Sequence, residues 1–320
     1  YKRCVDRTGL QSKILELAKP EISGIALSFE QASNNIRDLF DQGEVSDDIV
    51  AEMTTAYTAL DGNDPAVAIR SSANAEDLPE LSFAGQQETY LNISGNEALV
   101  AAVRNCWASL WTAQAISYRH QNGIKQDSVA MAVVVQVMVP SDISGILFTA
   151  NPATGERSEM IVNASFGLGE AVVSGQVTPD TYIVDRETYA LKETVIGPKA
   201  QKIVSDGAQG TRFEDVADDE RSQSSLSETM IQELAVSAHA IESLYYGLPQ
   251  DIEWAFVNGN CWYAHPFMSM RARCLTSREV SALSVRASTW NTQYGRCSGV
   301  DLHTSRNVRW FCFIFLEIID

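Results

Sequence analysis

The sequence predicts a mixed α/β fold, on three observations. Its 320 residues suffice for two domains or one large lobed one. Helical spacing of apolar residues recurs, most clearly at Leu99, Val103, Trp107 and Leu110 and at Ile231, Leu234, Ala238, Ile241 and Tyr245. Apolar runs of strand length lie elsewhere, Val129 to Val139 among them.

In chain order, Leu10, Ile14, Leu15 and Leu17 predict a short helix that stops before Pro20. Phe29 to Gln42 predicts another, with Ile36, Leu39 and Phe40 on one face. Ser46 can cap a third over Asp47 to Leu60, with two acids in its first turn. Asp61 to Pro65 is a turn cluster. Ala66 to Ile69 and Gln86 to Ile93 read as strands. Ser94 and Glu97 form a capping box for a helix ending near Gly123. Ile146 to Ala150, Met160 to Ala164, Tyr182 to Val184 and Thr194 to Ile196 read as further strands. Ser205 to Ser225 is polar and reads as an exposed, mobile connection. Ser225 and Glu228 form a second capping box, for a helix over Glu228 to Tyr246 ended by Gly247. Asp251 to Ala255 reads as a strand.

Composition bounds the function. With 45% hydrophobic and 20% charged residues the chain has an ordinary soluble composition. No apolar run approaches the length of a membrane span, and no charged and apolar leader opens the chain. A cytoplasmic protein without a membrane partner is expected. The net charge of −17 argues against nucleic acid as a partner. It does not exclude a nucleotide, which needs only a local basic pocket. Cys4, Cys106, Cys261, Cys274, Cys297 and Cys312 show no CxxC pair and no metal-ligand spacing, so free thiols are expected.

Chemistry concentrates in residues 66–93, AVAIRSSANAEDLPELSFAGQQETYLNI. Arg70 leaves a strand beside Ser71 and Ser72. Its planar fork suits phosphate oxygens; pairing with Glu76 or Asp77 is the alternative. Gln136 interrupts a buried strand and must find partners or incur a desolvation cost of ~1–3 kcal/mol. It is either a structural amide or a reader of an adenine edge. Phe166-Gly167-Leu168-Gly169-Glu170 either lets backbone approach phosphate, with Glu170 near metal, or simply turns the chain. Asp251 and Glu253 point the same way from one strand. They suit Mg²⁺, or are exposed charges on an edge. Trp107 and Trp111 read as core. Arg119 either faces phosphate or is solvated or dipole-complementing, Lys199 and Lys202 either reach a nucleotide or are surface lysines, and His239 reads as a packing or surface residue.

The central stretch resembles the nucleotide-binding domain shared by phosphoenolpyruvate synthase, pyruvate phosphate dikinase and rifampin phosphotransferase. The resemblance continues through Cys106 to Trp111, Tyr118-Arg119, Val133 to Gln136, Ser144 to Pro152, Ser165 to Glu170 and Asp251 to Trp254, and covers roughly residues 1–263. It implies an α/β, ATP-grasp-like domain holding a nucleotide between two lobes. A first mixed lobe would span 1–125. A strand-rich lobe with a closing helix and metal-binding strand would span 126–270. The implied ligands are ATP and Mg²⁺. Arg70 would neutralise phosphate, Thr89 would contact phosphate or metal, and Gln136 would read adenine. Glu253 would hold the metal, with Asp251 and His265 as weaker candidates. Such a kinase-type phosphotransferase passes a phosphoryl group to a histidine on a separate domain, then to pyruvate or a rifampin-like acceptor. The chain alone has no room for the histidine and acceptor domains.

Three departures qualify this. Relatives open with a strand and a glycine-rich loop carrying a lysine; nothing here matches it, so an N-terminally truncated copy is expected. Relatives also carry Gln-x-Arg-Pro near the metal strand, where this chain has His265 and Phe267. Imidazole can coordinate metal or bond phosphate, but Phe267 replaces no cation. The alternative is therefore a degenerate, non-catalytic fragment that binds ATP weakly or not at all. The third departure is the tail, residues 271–320. It carries seven Arg, no Lys and four acidic residues, +3, leaving −20 on the other 270 residues. It resembles nothing in the family, and a frame shift or retained intron is expected. Its apolar end, Trp310 to Leu316, reads as a buried terminal strand or helix, or as an exposed patch.

Overall fold

A computed structural model describes residues 1–23, 26–60, 62–73, 88–207, 209–263, 309–310 and 313–316. Glu76, Asp77, Ser82 to Gly85, His265 and Phe267 lie outside the described residues. Helices α1 (Lys2–Arg7) and α2 (Leu10–Leu17) precede a small hairpin, β1 (Glu21–Ser23) and β2 (Ala26–Ser28). Helices α3 (Glu30–Gln42) and α4 (Asp47–Thr58) lead to β3 (Val67–Ala73) and β4 (Tyr90–Ile93). Then come α5 (Asn96–Ala108), a 3₁₀ turn at Ser109–Trp111, α6 (Ala113–Gln121) and β5 (Met131–Val137). Strands β6 (Ile143–Phe148) and β7 (Glu159–Phe166), helix α7 (Glu170–Val173) and strands β8 (Asp180–Asp185) and β9 (Leu191–Val195) follow. The hairpin β10 (Gln201–Ser205) and β11 (Thr211–Asp215) precedes α8 (Asp218–Arg221) and α9 (Glu228–Leu244). Strands β12 (Asp251–Val257), β13 (Asn260–Tyr263), β14 (Arg309–Trp310) and β15 (Phe313–Leu316) complete the described chain.

These elements form two compact units. The first holds residues 1–138, the hairpin turn 205–211 and 313–320. Among the described residues its main sheet runs β15-β5-β3-β4, antiparallel throughout. Its core gathers Ile14, Ile36, Phe40, Val67, Ile69, Leu99, Trp107 and Trp111 from helices and sheet. The second holds residues 139–204 and 212–312. Its sheet runs β14-β13-β12-β6-β7-β8-β9, antiparallel except for β13–β14. Helix α9 supplies Ile231, Leu234, Ala238 and Ile241 to a core with Leu147, Val162, Tyr182 and Trp254.

The units divide after Met138, not near residue 125. The reason is pairing: β5 forms a continuous antiparallel ladder with β3, Val67↔Val137 to Ala73↔Met131. A single helix to Gly123 is not formed. The 3₁₀ turn breaks it, and Thr112 caps α6 by accepting from the Ala115 N–H at 3.2 Å. Neither capping box forms. Helix α5 starts behind Gly95 with no side-chain cap. Helix α9 is capped by Ser227, which accepts from the Met230 N–H. Ser205 to Ser225 is not an unstructured connection, since it contains β11 and α8. Of the readings for the apolar end, the backbone at Phe313–Leu316 is strand, paired with β5.

Gly145 shows why the second sheet stacks as it does. It sits in β6 between Trp254 of β12 and Ala164 of β7. A Cβ there would lie 2.7 Å from Trp254 Cζ2 and closer still to the Asn163 carbonyl oxygen. The indole fills the space that a side chain would need. Overpacking of a rigid neighbour costs ~1–3 kcal/mol and more against backbone. Gly145→Ala should therefore lower stability to urea by about 3 kcal/mol or more. Gly169→Ala, whose Cβ would meet only Ser144 at 3.8 Å, should change it by less than ~1 kcal/mol.

Candidate functional site

Strand alternation decides which residues reach each open face. In the first unit, Val67, Ile69, Met131, Val133 and Val135 turn into the core. The other set pairs Ala68 with Gln136, Arg70 with Val134 and Ser72 with Ala132 on the opposite face. Ile69 pairs with Tyr90, the first residue of β4, and Thr89 immediately precedes that strand. The pairing slips between Val67 and Ile69, where Asn92 adopts φ 56°. Asn92 is buried and donates to the Gly210 carbonyl at 2.8 Å.

Arg70 and Gln136 thus share one sheet face, although 66 residues separate them, while Thr89 lies just before β4 begins. Arg70 Nη1 donates to Gln136 Oε1 at 3.4 Å, a long bond. Gln136 is 6% exposed, and its Nε2 donates to no group among the described residues. The Thr89 side chain is exposed. Its neighbour Glu88 is held by Arg37 at 3.0 Å and accepts from the Tyr90 hydroxyl.

In the second unit, Ile252, Trp254 and Phe256 enter the core while Asp251 and Glu253 take the other face of β12. Both are half-buried. Burial first, and the Glu253 charge second, push the Asp251 carboxyl up to about 6. Two carboxylates on one face, with Asp251 pushed toward its neutral form, offer the oxygen donors that suit a hard cation such as Mg²⁺. Among the described residues no cluster of three His, Cys, Asp or Glu could hold a metal. His265 lies outside them.

Other expectations change. Phe166 to Glu170 is committed to the protein: Gly167 bridges Ile203, and the Leu168 N–H donates to the Ile203 carbonyl at 2.9 Å. A Cβ on Gly167, at φ +77°, would meet that carbonyl oxygen at 2.4 Å. The close approach is therefore to β10, which favours the turn reading. Arg119 is not solvated. It is fully buried over the Trp111 ring at 4.9 Å, and its Nε donates to Gln126 at 2.6 Å. Burial lowers it to about 10. Trp107 and Trp111 are core, as expected. The His239 Nδ1 lies 2.7 Å from the Tyr189 hydroxyl, a half-buried packing pair. Cys4, Cys106 and Cys261 are buried and form no disulfide among the described residues.

Lys199 is no surface lysine. It and Asp180 are both fully buried and lie 2.5 Å apart. Asp180 also accepts from the Gly197 and Ser225 N–H groups and from the Ser225 hydroxyl. Lys199 donates its second bond to the Gly197 carbonyl at 3.0 Å. Lys202 is exposed enough to be an ordinary pair with Glu214 at 3.2 Å. The signal available in the sequence was Asp180 in register with Tyr182 and Val184, an acid on the inward face of a strand.

Residues 1–264 match the family described as pyruvate phosphate dikinase, AMP/ATP-binding domain. The chain is 47% identical over 231 residues to a probable phosphoenolpyruvate synthase of Pyrococcus horikoshii, covering 69% of this chain and 28% of that protein. It is 42% identical over 257 residues to the phosphoenolpyruvate synthase of Pyrococcus furiosus, covering 77% and 31%. It is 43% identical over 228 residues to the rifampicin phosphotransferase of Bacillus cereus, covering 71% and 26%. The chain thus spans between a quarter and a third of the length of these relatives.

Two outcomes are expected here. Removing one partner of a buried pair strands the other charge, at ~3–5 kcal/mol. Lys199→Met should lose stability of about that size in urea denaturation, and Lys202→Met less than ~0.5 kcal/mol. Asp251 has a folded pKa above its ordinary value of ~3.9. Its contribution to stability is therefore present below about 4 and lost as pH rises through about 6. Glu253→Gln should bring the Asp251 pKa part-way down, with burial keeping the rest, as read by carboxyl-carbon NMR titration.

Proposed function

This chain belongs to the pyruvate phosphate dikinase AMP/ATP-binding domain family, and on that premise we propose that it binds Mg-ATP for phosphoryl transfer. The family domain has the ATP-grasp-like fold, a mixed helix and sheet architecture with antiparallel sheets. In this reading Arg70 neutralises phosphate, the Thr89 hydroxyl contacts phosphate or metal, and Gln136 offers Nε2 to the adenine edge. Glu253, helped by Asp251, holds Mg²⁺. The bound ion would neutralise phosphate charge, the main requirement of this reaction. The phosphoryl group would pass to a histidine on a separate domain and then to pyruvate or a rifampin-like acceptor. Those acceptors come from the names of relatives, of which this chain covers a fraction.

The observation that carries the reading is the common face of Arg70 and Gln136. A cation beside an amide with an unused donor suits a phosphorylated heterocycle. The second reading, a remnant that no longer turns over ATP, draws on Phe267 standing where relatives carry arginine.

Calorimetric titration with Mg-ATP separates the two. Under the first reading the wild type binds, and Arg70→Ala weakens binding about tenfold or more, the worth of a charge-assisted bond. Gln136→Ala should narrow the preference for ATP over GTP. Glu253→Gln should remove the Mg²⁺ dependence and keep metal-free binding. No heat at millimolar nucleotide rejects retained binding and leaves the remnant.

A further inference from the structure

The Glu253 face of the second unit continues across three more strands. Glu253 pairs with Ile146, Ile146 with Asn163, and Asn163 with Thr181. The adjacent row runs Asp251, Phe148, Ile161 and Ile183. Two carboxylates thus stand at one side of a strip of apolar side chains, and an amide–hydroxyl pair at the other. Asn163 Nδ2 donates to Thr181 Oγ1 at 2.8 Å. That bond fixes the amide, and its Oδ1 accepts from no group among the described residues. Asn163 is half-buried, and its Oδ1 is left available to a ligand.

Neighbouring strands lie ~4.8 Å apart, so the Glu253 and Asn163 backbones are ~10 Å apart across Ile146. A glutamate, a hydrated Mg²⁺ with ~2.1 Å metal–oxygen bonds and an asparagine together cover that span. Mg²⁺ takes oxygen ligands and keeps several waters, and a fixed amide oxygen can hold such a water. We propose that Asn163 is a further ligand of the divalent cation that accompanies the nucleotide, directly or through one water, and that Thr181 is its positioning residue. This rests on the ATP-binding reading above.

The test is Mn²⁺ binding followed by electron paramagnetic resonance, with ATP present, beside calorimetry of metal-free ATP. Asn163→Ala should weaken Mn²⁺ about tenfold or more. Asn163→Asp keeps an oxygen and should stay within about threefold of wild type. Thr181→Val should lose an intermediate amount, and Thr181→Ser should restore it. Metal-free ATP affinity should be unchanged in all four, which also shows that they fold. Asn163→Ala binding Mn²⁺ like wild type, or Asn163→Asp as weak as Asn163→Ala, overturns the assignment. Wild type that fails to bind metal-free ATP sinks the ATP-binding reading itself and takes the assignment with it.

Discussion

The alternation of side chains across two sheets is the constraint on which the rest hangs. Each sheet buries one set of residues, and the other set is left for chemistry. A one-residue slip of β12 would send Glu253 inward and Trp254 outward. Trp254 prevents it, because its ring occupies the gap above Gly145 and packs against Phe256 at 5.7 Å. In the first unit, register is set by a bulge instead. Asn92 absorbs one residue of β4 and is tied at both its amide and its carbonyl to Gly210. Packing fixes one face and a local irregularity the other, so the polar faces follow from the cores.

The buried Asp180–Lys199 pair belongs to the same logic. A pair out of water is weak evidence for stability, but its partners are well satisfied. Asp180 joins β8, the Gly197 turn and the segment leading into α9 through four protein donors besides Tyr182. Gly197 itself has no room for a side chain, since a Cβ would lie 2.2 Å from the Pro179 carbonyl oxygen. The chain crosses itself closely there, and the charged pair lies at the crossing. Arg186 does comparable work at the other end of α9, gripping Glu242 with both terminal nitrogens at 2.7 and 2.9 Å.

Much of the helix and strand content was legible because it follows from spacing. Leu10–Leu17 and Glu30–Gln42 fall within a residue of where apolar periodicity puts them. What spacing cannot carry is long-range partnership. Lys199 looks like any lysine after a strand until Asp180, nineteen residues earlier, turns inward to meet it. Arg119 looks solvated until Trp111 and Gln126 close over it. Ser225 looks like a helix cap, but Asp180 claims its hydroxyl, and Ser227 caps instead. The faces were half legible. Asp251 and Glu253 lie on one strand, so their common side follows from alternation alone. Arg70 and Gln136 needed the β3–β5 pairing, and the link from them to a nucleotide came from resemblance.

The two faces differ in charge, and that difference bears on the whole chain. Outside the tail the sequence carries −20 over 270 residues, so an anionic ligand meets a repulsive background. Arg70 answers this locally on the first unit. On the second, Asp251 already holds its proton up to about 6 because burial and Glu253 disfavour a second charge. A divalent cation would reverse that balance, since an ion beside a carboxylate favours its charged form. It would also cancel charge on a phosphate chain. In the proposed role, an acidic protein therefore recruits its anionic ligand together with a metal.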